Sequence, residues 1–107
     1  MTKINFKRSG GVLGREVNTD LDLNELPANE SQELMQLLTE TNFFKIPQNL
    51  IEQSTPDEFE YTVTVEAGNT YHTIHTSDSN APESLRPLLE KLSRLSRAGG
   101  SEEMTET

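Results

Sequence analysis

The polar residues of this chain offer few arrangements that catalysis would require. Asp57 and Glu58 are adjacent carboxylates, and Glu60 and Glu66 fall on one side of a predicted strand. In a chain with 18 acidic residues among 107, such pairs arise by chance and lack the distinct environments that acid–base catalysis needs. The sequence contains no His-Glu-x-x-His motif, no nucleophile elbow and no cysteine. It therefore predicts a protein that is not an enzyme.

The residues that could bind a metal are also unsuited to it. His72 and His75 are three residues apart on a predicted strand, so their side chains point to opposite faces and cannot share an ion. Asp20 and Asp22 resemble the start of a calcium loop, but the glycine and glutamate that complete such a loop are missing. We expect no metal site and no cofactor.

The central strand of the predicted sheet comprises residues 58–66. Phe59, Tyr61, Val63 and Val65 alternate with polar residues, which is typical of a strand with one buried face. Turn residues at 67–69 precede a second run of β-branched and aromatic residues at 70–77. The two runs predict an antiparallel hairpin.

A second hairpin is predicted at the N-terminus. Ile4 and Phe6 mark a first strand, and residues 8–11 break it with a tight turn that uses the positive φ of glycine. Residues 12–17 then return as the second strand, and 18–28 form an edge strand whose leucines face the core. The Ser9-Gly10-Gly11 run could suggest a phosphate-binding loop, but no Lys-Ser/Thr pair or helix follows.

Two helices complete the prediction. The first begins at a cap, Asn29 or Ser31, with Glu33 reaching back, and ends at Thr41. The second begins after Ser84, carries a leucine stripe and ends at 99–100. We expect an α+β fold, with a mostly antiparallel sheet of about four strands and both helices packed on one face. Residues 1–98 would form a single domain and 99–107 a disordered tail.

Charge and hydropathy limit the kinds of partner. The net charge is −9, and residues 16–83 hold fourteen acids against one base, Lys45. Such a surface repels polyanions, so nucleic acid is not an expected partner. No apolar run is long enough to span a membrane, and the start lacks the apolar region of a signal peptide. We expect a cytoplasmic protein with no membrane contact.

Two segments are candidates for binding another protein. Residues 48–57 form the longest stretch without periodicity, and long loops of this kind are often functional. Phe43 and Phe44 precede Ile46 and Pro47, and two interpretations of them stay open. They either pin the loop onto the sheet or form an exposed apolar contact.

Several motifs together resemble the emfourin family, also called protealysin inhibitors. They cover most of the chain up to Leu95, in the expected order. The motifs are Ile4-x-Phe6-x-Arg8-Ser9-Gly10-Gly11, Asn42-Phe43-Phe44 with Pro47, Asp57-x-Phe59-x-Tyr61-x-Val63-x-Val65, His72-Thr73-Ile74 and Pro82-x-x-Leu85-Arg86-Pro87-Leu88-Leu89.

The resemblance implies a protein inhibitor of thermolysin-like zinc metalloproteases of the protealysin kind, which blocks the active-site cleft without covalent chemistry. A monomer is expected when the protein is free. A rival hypothesis is a non-catalytic interaction or regulatory module, with a homodimer as one form. The expected partner-binding residues are Arg8, Ser9, Gly10, Gly11, Val12, Phe43, Phe44, Gln53, Ser54, Thr55, Pro56, Asp57 and Glu58. A further hypothesis places Asp57 or Glu58 near the zinc of the target.

Overall fold

The structure, a computed structural model, describes residues 2–10, 16–52 and 58–99, with side chains through Ser96. Within these ranges four strands form one antiparallel sheet in the order β2-β1-β3-β4. The strands are β1 (Thr2–Gly10), β2 (Val17–Asp22), β3 (Phe59–Ala67) and β4 (Thr70–Ser77), and the helices are α1 (Ala28–Thr41) and α2 (Arg86–Gly99). This is the α+β arrangement that the sequence predicts.

The core lies between the helices and one face of the sheet. Ile4 and Phe6 of β1 and Val63 and Val65 of β3 are at most 1% exposed, as the period-two alternation on both strands requires. The helices, together with the 3-10 turn Glu83–Leu85 that precedes α2, contribute the leucines that cover this face. The fully or almost fully buried members are Leu34, Leu38, Leu85, Leu88, Leu89 and Leu92.

The central hairpin is confirmed, whereas the N-terminal hairpin differs from the prediction. β3 and β4 pair from Ala67 and Thr70 outward, with Gly68 at φ +62° in the turn between them. On β1, however, Ser9 and Gly10 do not turn, because they extend the strand and pair with β3. The return strand β2 begins only at Val17, which pairs with Arg8. The predicted tight turn is therefore wrong at residues 8–10. Residues 11–15, which include most of the predicted return strand, lie outside the described residues.

The starts of both helices also differ from the prediction. α1 begins at Ala28, and its N-cap residue is Pro27, whose side chain cannot accept a hydrogen bond. Asn29 and Ser31 lie inside the helix, and the Ser31 hydroxyl donates to the carbonyl of Leu23. α1 ends at Thr41 as predicted, with Asn42 in the left-handed conformation. Before α2 the chain forms a short 3-10 turn at Glu83–Leu85, so Ser84 is not the cap of an α-helix.

Lys91 joins the two helices from a buried position. It is 5% exposed, and its ammonium donates to the carboxylate of Glu30 and to Oε1 of Glu33 at 2.8 Å. Glu33 therefore reaches α2 and does not turn back to cap α1. The hydrogen bond and charge of Lys91 lower the pKa of Glu33, and the two glutamates raise the pKa of Lys91.

Removing the two carboxylates is expected to cost more stability than removing the lysine. Glu30→Gln/Glu33→Gln leaves a buried ammonium beside neutral amides, whereas Lys91→Met replaces the charge with an apolar side chain of similar length. Urea unfolding should show the larger fall in midpoint for the double glutamine variant. Glu40→Gln changes an exposed carboxylate on the same helix and serves as the control. A larger loss for Lys91→Met would contradict the expected order.

The stabilisation from this ion pair also depends on pH in a defined direction. The contact with Lys91 favours ionised Glu33 and lowers its pKa. Its contribution to stability is therefore fully present above the ordinary carboxyl pKa of 4.5 and is lost as the pH falls through the lowered pKa. The same contact favours charged Lys91 and raises its pKa. That contribution to stability is fully present below the ordinary lysine pKa of 10.5 and is lost as the pH rises through the raised pKa. The difference in stability between wild type and Lys91→Met should therefore be flat near neutral pH and change at both extremes.

Candidate functional site

The register of β1 and β3 brings the two predicted contact segments to the same end of the sheet. Gly10, the last residue of β1, pairs with Phe59, the first residue of β3. Neighbouring strands lie about 4.8 Å apart, so the chain leaves β1 toward residue 11 close to where it enters β3 from residue 57. The other residues of the two segments lie outside the described residues. They are Gly11, Val12, Gln53, Ser54, Thr55, Pro56 and Asp57.

We call this surface the loop end of the sheet. It comprises Arg8, Ser9 and Gly10 of β1, Glu58 and Phe59 at the start of β3, and Asp78 and Ser79 after β4. Sequence reasoning could not place these residues together because the order of the strands was open. The antiparallel pairing of β1 with β3 brings them to the same end of the sheet.

Gly10 allows the two strands to stay close at the loop end. Its φ is +94°, in the region that favours glycine. A Cβ atom at this position would lie 2.8 Å from the carbonyl oxygen of Glu58. The sequence pattern identified a glycine-dependent site, but the reason is the close approach of two backbones and not a tight turn.

Hydrogen bonds hold the start of β3 against the turn that follows β4. Oε1 of Glu58 accepts from the amide of Ser79 at 2.7 Å and from its hydroxyl at 2.8 Å. The amide of Phe59 donates to Oδ2 of Asp78 at 3.1 Å, and the amide of Asp78 donates to the carbonyl of Phe59. The described part of the loop end is therefore a braced structure, and Glu58 is one of its braces.

Tyr61 and Asp78 form a second brace that sequence reasoning missed. The Tyr61 hydroxyl donates to Oδ1 of Asp78 at 2.6 Å. Burial, and then the Asp78 carboxylate, raise the pKa of Tyr61 well above its ordinary value, so the phenol remains a donor. The sequence pattern places Tyr61 on the core face and Asp78 in a turn, and no local signal joins residues 17 positions apart.

Arg8 and Phe59 form the part of the loop end that faces the helices. The guanidinium carbon of Arg8 lies 4.7 Å from the centroid of the Phe59 ring, within the range of a cation–π contact. Phe59 also contacts Tyr61, with ring centroids 6.5 Å apart. Arg8 is thereby presented on an aromatic surface.

The aromatic pair lies elsewhere and its two members differ. Phe43 is fully buried, which favours the interpretation that it pins the loop onto the sheet. Its place among the partner-binding residues stays a prediction. Its ring packs edge-on against His72, whose Nε2 bonds the carbonyl of Ile46 at 2.7 Å. Phe44 is 39% exposed and borders a hollow with Thr2 and Ala67. That hollow is at the opposite end of β1, roughly 26 Å from Gly10 at about 3.3 Å per residue.

The first residues of the predicted binding loop are fixed to the sheet. The amide of His75 donates to the carbonyl of Gln48 at 2.7 Å, and the amide of Leu50 donates to the carbonyl of His75 at 2.8 Å. Asn49 thus forms a parallel bridge with β4. The free length of the loop is therefore shorter than the aperiodic stretch 48–57 suggests.

The two histidines lie on opposite faces of β4, as predicted. His72 contacts Ile46 and Phe43 on the helix side, and Nε2 of His75 lies 3.4 Å from Glu60 on the other side. Within ranges 2–10, 16–52 and 58–99, no group of three metal-binding side chains is found. Over the same part of the chain, no helix has the length and apolar character needed to cross a membrane.

Comparison with protein families identifies the family of this chain. The family model named Emfourin matches residues 6–93, from β1 into α2. The chain belongs to the Emfourin family. No curated protein and no solved structure matches it significantly. The part of the chain matched to Emfourin contains all the residues of the loop end, so that surface belongs to the family domain and is not an addition to it.

Proposed function

We propose that this Emfourin member is a protein inhibitor of thermolysin-like zinc metalloproteases of the protealysin kind. It would act by filling the active-site cleft, with no covalent step. The family match supports an inhibitory role. The observation that supports the location of the contact is the pairing of Gly10 with Phe59, which anchors two loop segments side by side on one sheet.

The anchoring offers a physical reason for tight binding. A loop loses conformational freedom when it binds, and a segment whose ends are already fixed loses less. One segment is anchored at Gly10, and the other is anchored at Glu58 through its bonds to Ser79 and at Leu50 through its bond to His75. We propose that residues 8–12 and 53–58 together enter or cover the cleft and exclude substrate.

The hypothesis that a carboxylate approaches the zinc applies better to Asp57 than to Glu58. Oε1 of Glu58 already accepts two hydrogen bonds from Ser79, and the second carboxylate oxygen lies 3.1 Å from the Ser79 hydroxyl. Moving Glu58 toward a metal would break this brace. Asp57→Asn with unchanged inhibition would remove the zinc hypothesis and leave cleft blockage intact.

A stoichiometric titration tests the proposed function. Residual activity of a protealysin-type enzyme is measured against increasing amounts of the purified protein. We expect a linear loss of activity that approaches zero near one equivalent. Full activity in excess protein, with the added chain cleaved, would reject the proposal, and association with itself in sedimentation experiments would then favour the rival interaction module.

Alanine replacements test the contact surface once inhibition is established. We expect Arg8→Ala, Ser9→Ala and a block replacement of residues 53–57 to raise the inhibition constant, with the block change giving about tenfold or more. Tyr71→Ala is the matched control, because Tyr71 is 69% exposed and lies near the opposite end of β3 and β4. Unchanged inhibition in all the loop-end variants would move the contact to another face.

A further inference from the structure

A cleft of about 440 Å³ lies between α2 and the loop end of the sheet. Arg8, Phe59 and Tyr61 line it from the sheet, and Arg86, Leu89 and Arg94 line it from the helix. We call it the arginine cleft. Three of the nine basic residues of an acidic chain meet here, and Arg8 is far in sequence from the two on α2.

Two of the three arginines are held in place by contacts that leave their charge unpaired. Arg8 lies over the Phe59 ring, and a guanidinium nitrogen of Arg86 donates to the backbone carbonyl of Asp78 at 2.9 Å. Across the residues the structure describes, none of the three guanidiniums forms a salt bridge. Arg8 and Arg86 can therefore donate to an incoming anion, whereas the charge of Arg94 also acts on Glu33, whose pKa it helps to lower.

The acidic residues of the cleft weaken this field only in part. Asp78 keeps its negative charge, but its two carboxylate oxygens accept from the Phe59 amide and the Tyr61 hydroxyl and not from an arginine. Glu90 lies on α2 between Arg86 and Arg94, one helical turn from each, and is exposed. Positive charge still exceeds negative charge on a floor made of aromatic and leucine side chains.

We propose that the arginine cleft binds an acidic peptide segment of the partner protease that also carries an apolar side chain. The apolar side chain would lie against Phe59 and Leu89, and carboxylates would face Arg8, Arg86 and Arg94. The planar guanidinium donates two parallel hydrogen bonds to a carboxylate, which lysine cannot do. That the segment belongs to a protease rests on the proposed function, whereas the chemistry of the cleft does not.

Charge reversal with a matched control tests the proposal in the inhibition assay. Arg86→Glu/Arg94→Glu is expected to raise the inhibition constant about tenfold or more, with a weaker dependence on salt than wild type. Lys3→Glu/Lys45→Glu makes the same change in net charge. Both lysines are exposed, and Lys45 borders the hollow at the far end of the sheet. This control should change the inhibition constant by less than about threefold.

The possible outcomes distinguish a failure of the cleft proposal from a failure of the proposed inhibitory function. Equal weakening in both double variants would indicate a general charge effect and overturn the proposal. No weakening in either would overturn it while the proposed function stands. Arg94→Glu alone avoids the Arg86 bond to Asp78, and it should still weaken inhibition if the cleft binds a carboxylate.

If the wild-type protein inhibits no protease, a peptide titration still tests whether the arginine cleft binds an acidic peptide. The probe is a capped hexapeptide of alternating glutamate and leucine, followed by the amide resonances of the ¹⁵N-labelled protein. We expect shifts at Phe59, Arg86 and Leu89, absent with the glutamine–leucine peptide and in Arg86→Glu/Arg94→Glu. No shifts with the acidic peptide at millimolar concentration would overturn the proposal.

Discussion

Gly10→Ala is expected to lower the free energy of unfolding by about 3 kcal/mol, although it adds a single methyl group. The left-handed conformation alone costs a non-glycine residue about 1–2 kcal/mol. The new Cβ would also lie 2.8 Å from the Glu58 carbonyl oxygen, and overpacking against a fixed group adds about 1–3 kcal/mol. The strands β1 and β3 can relieve the contact only by separating, so inhibition should weaken as well.

Gly68→Ala is the control for this experiment. Gly68 also has a positive φ, +62°, but no atom lies within 4 Å of its added Cβ. Only the conformational cost should remain, at about 1 kcal/mol. Urea unfolding of the two variants measures the difference directly. Equal losses would mean that the contact with Glu58 does not constrain the loop end.

Phe43→Ala is expected to cost about 3–5 kcal/mol of stability, the range for a buried phenylalanine. The Phe43 side chain is 0% exposed and packs edge-on against both Phe44 and His72. Its loss would leave a cavity beneath the segment that follows α1 and packs beside β4. Urea unfolding at low temperature, where the destabilised variant is best compared with wild type, gives the measurement.

Phe44→Ala separates the two adjacent aromatics. The Phe44 side chain is 39% exposed, so the substitution should change stability by about 1 kcal/mol or less. A loss comparable to that of Phe43→Ala would contradict the difference in burial. A raised inhibition constant at unchanged stability would extend the partner contact to the hollow at the far end of β1.

Much of the sheet could be predicted because its pattern is local. The alternation from Phe59 to Val65 fixes one buried face on its own, and turn residues at 67–69 define the hairpin. The position of β2 could not be predicted in the same way. A strand is located by its partner, and the register that pairs Val17 with Arg8 depends on β1 continuing beside β3 through Gly10.

The candidate site depended almost wholly on long-range contacts. Residues 8–12 and 53–58 could be selected from their composition, but their convergence follows from strand order. The link from Lys91 to Glu30 spans 61 positions and the bond from Tyr61 to Asp78 spans 17. Neither residue pair has a pattern that periodicity detects. Phe43 and Phe44 were ambiguous because adjacent residues in a turn point in different directions.

The central place of β1 in the sheet also sets the order in which the protein can fold. Ile4 pairs with Val65, 61 residues later, whereas Ala67 and Thr70 close their hairpin locally. Closing a long loop costs entropy before its contacts form, which slows such pairing. During synthesis, Ile4 and Phe6 cannot pair with β3 until β3 has left the ribosome. The N-terminal strand is thus made first and receives its second neighbour late.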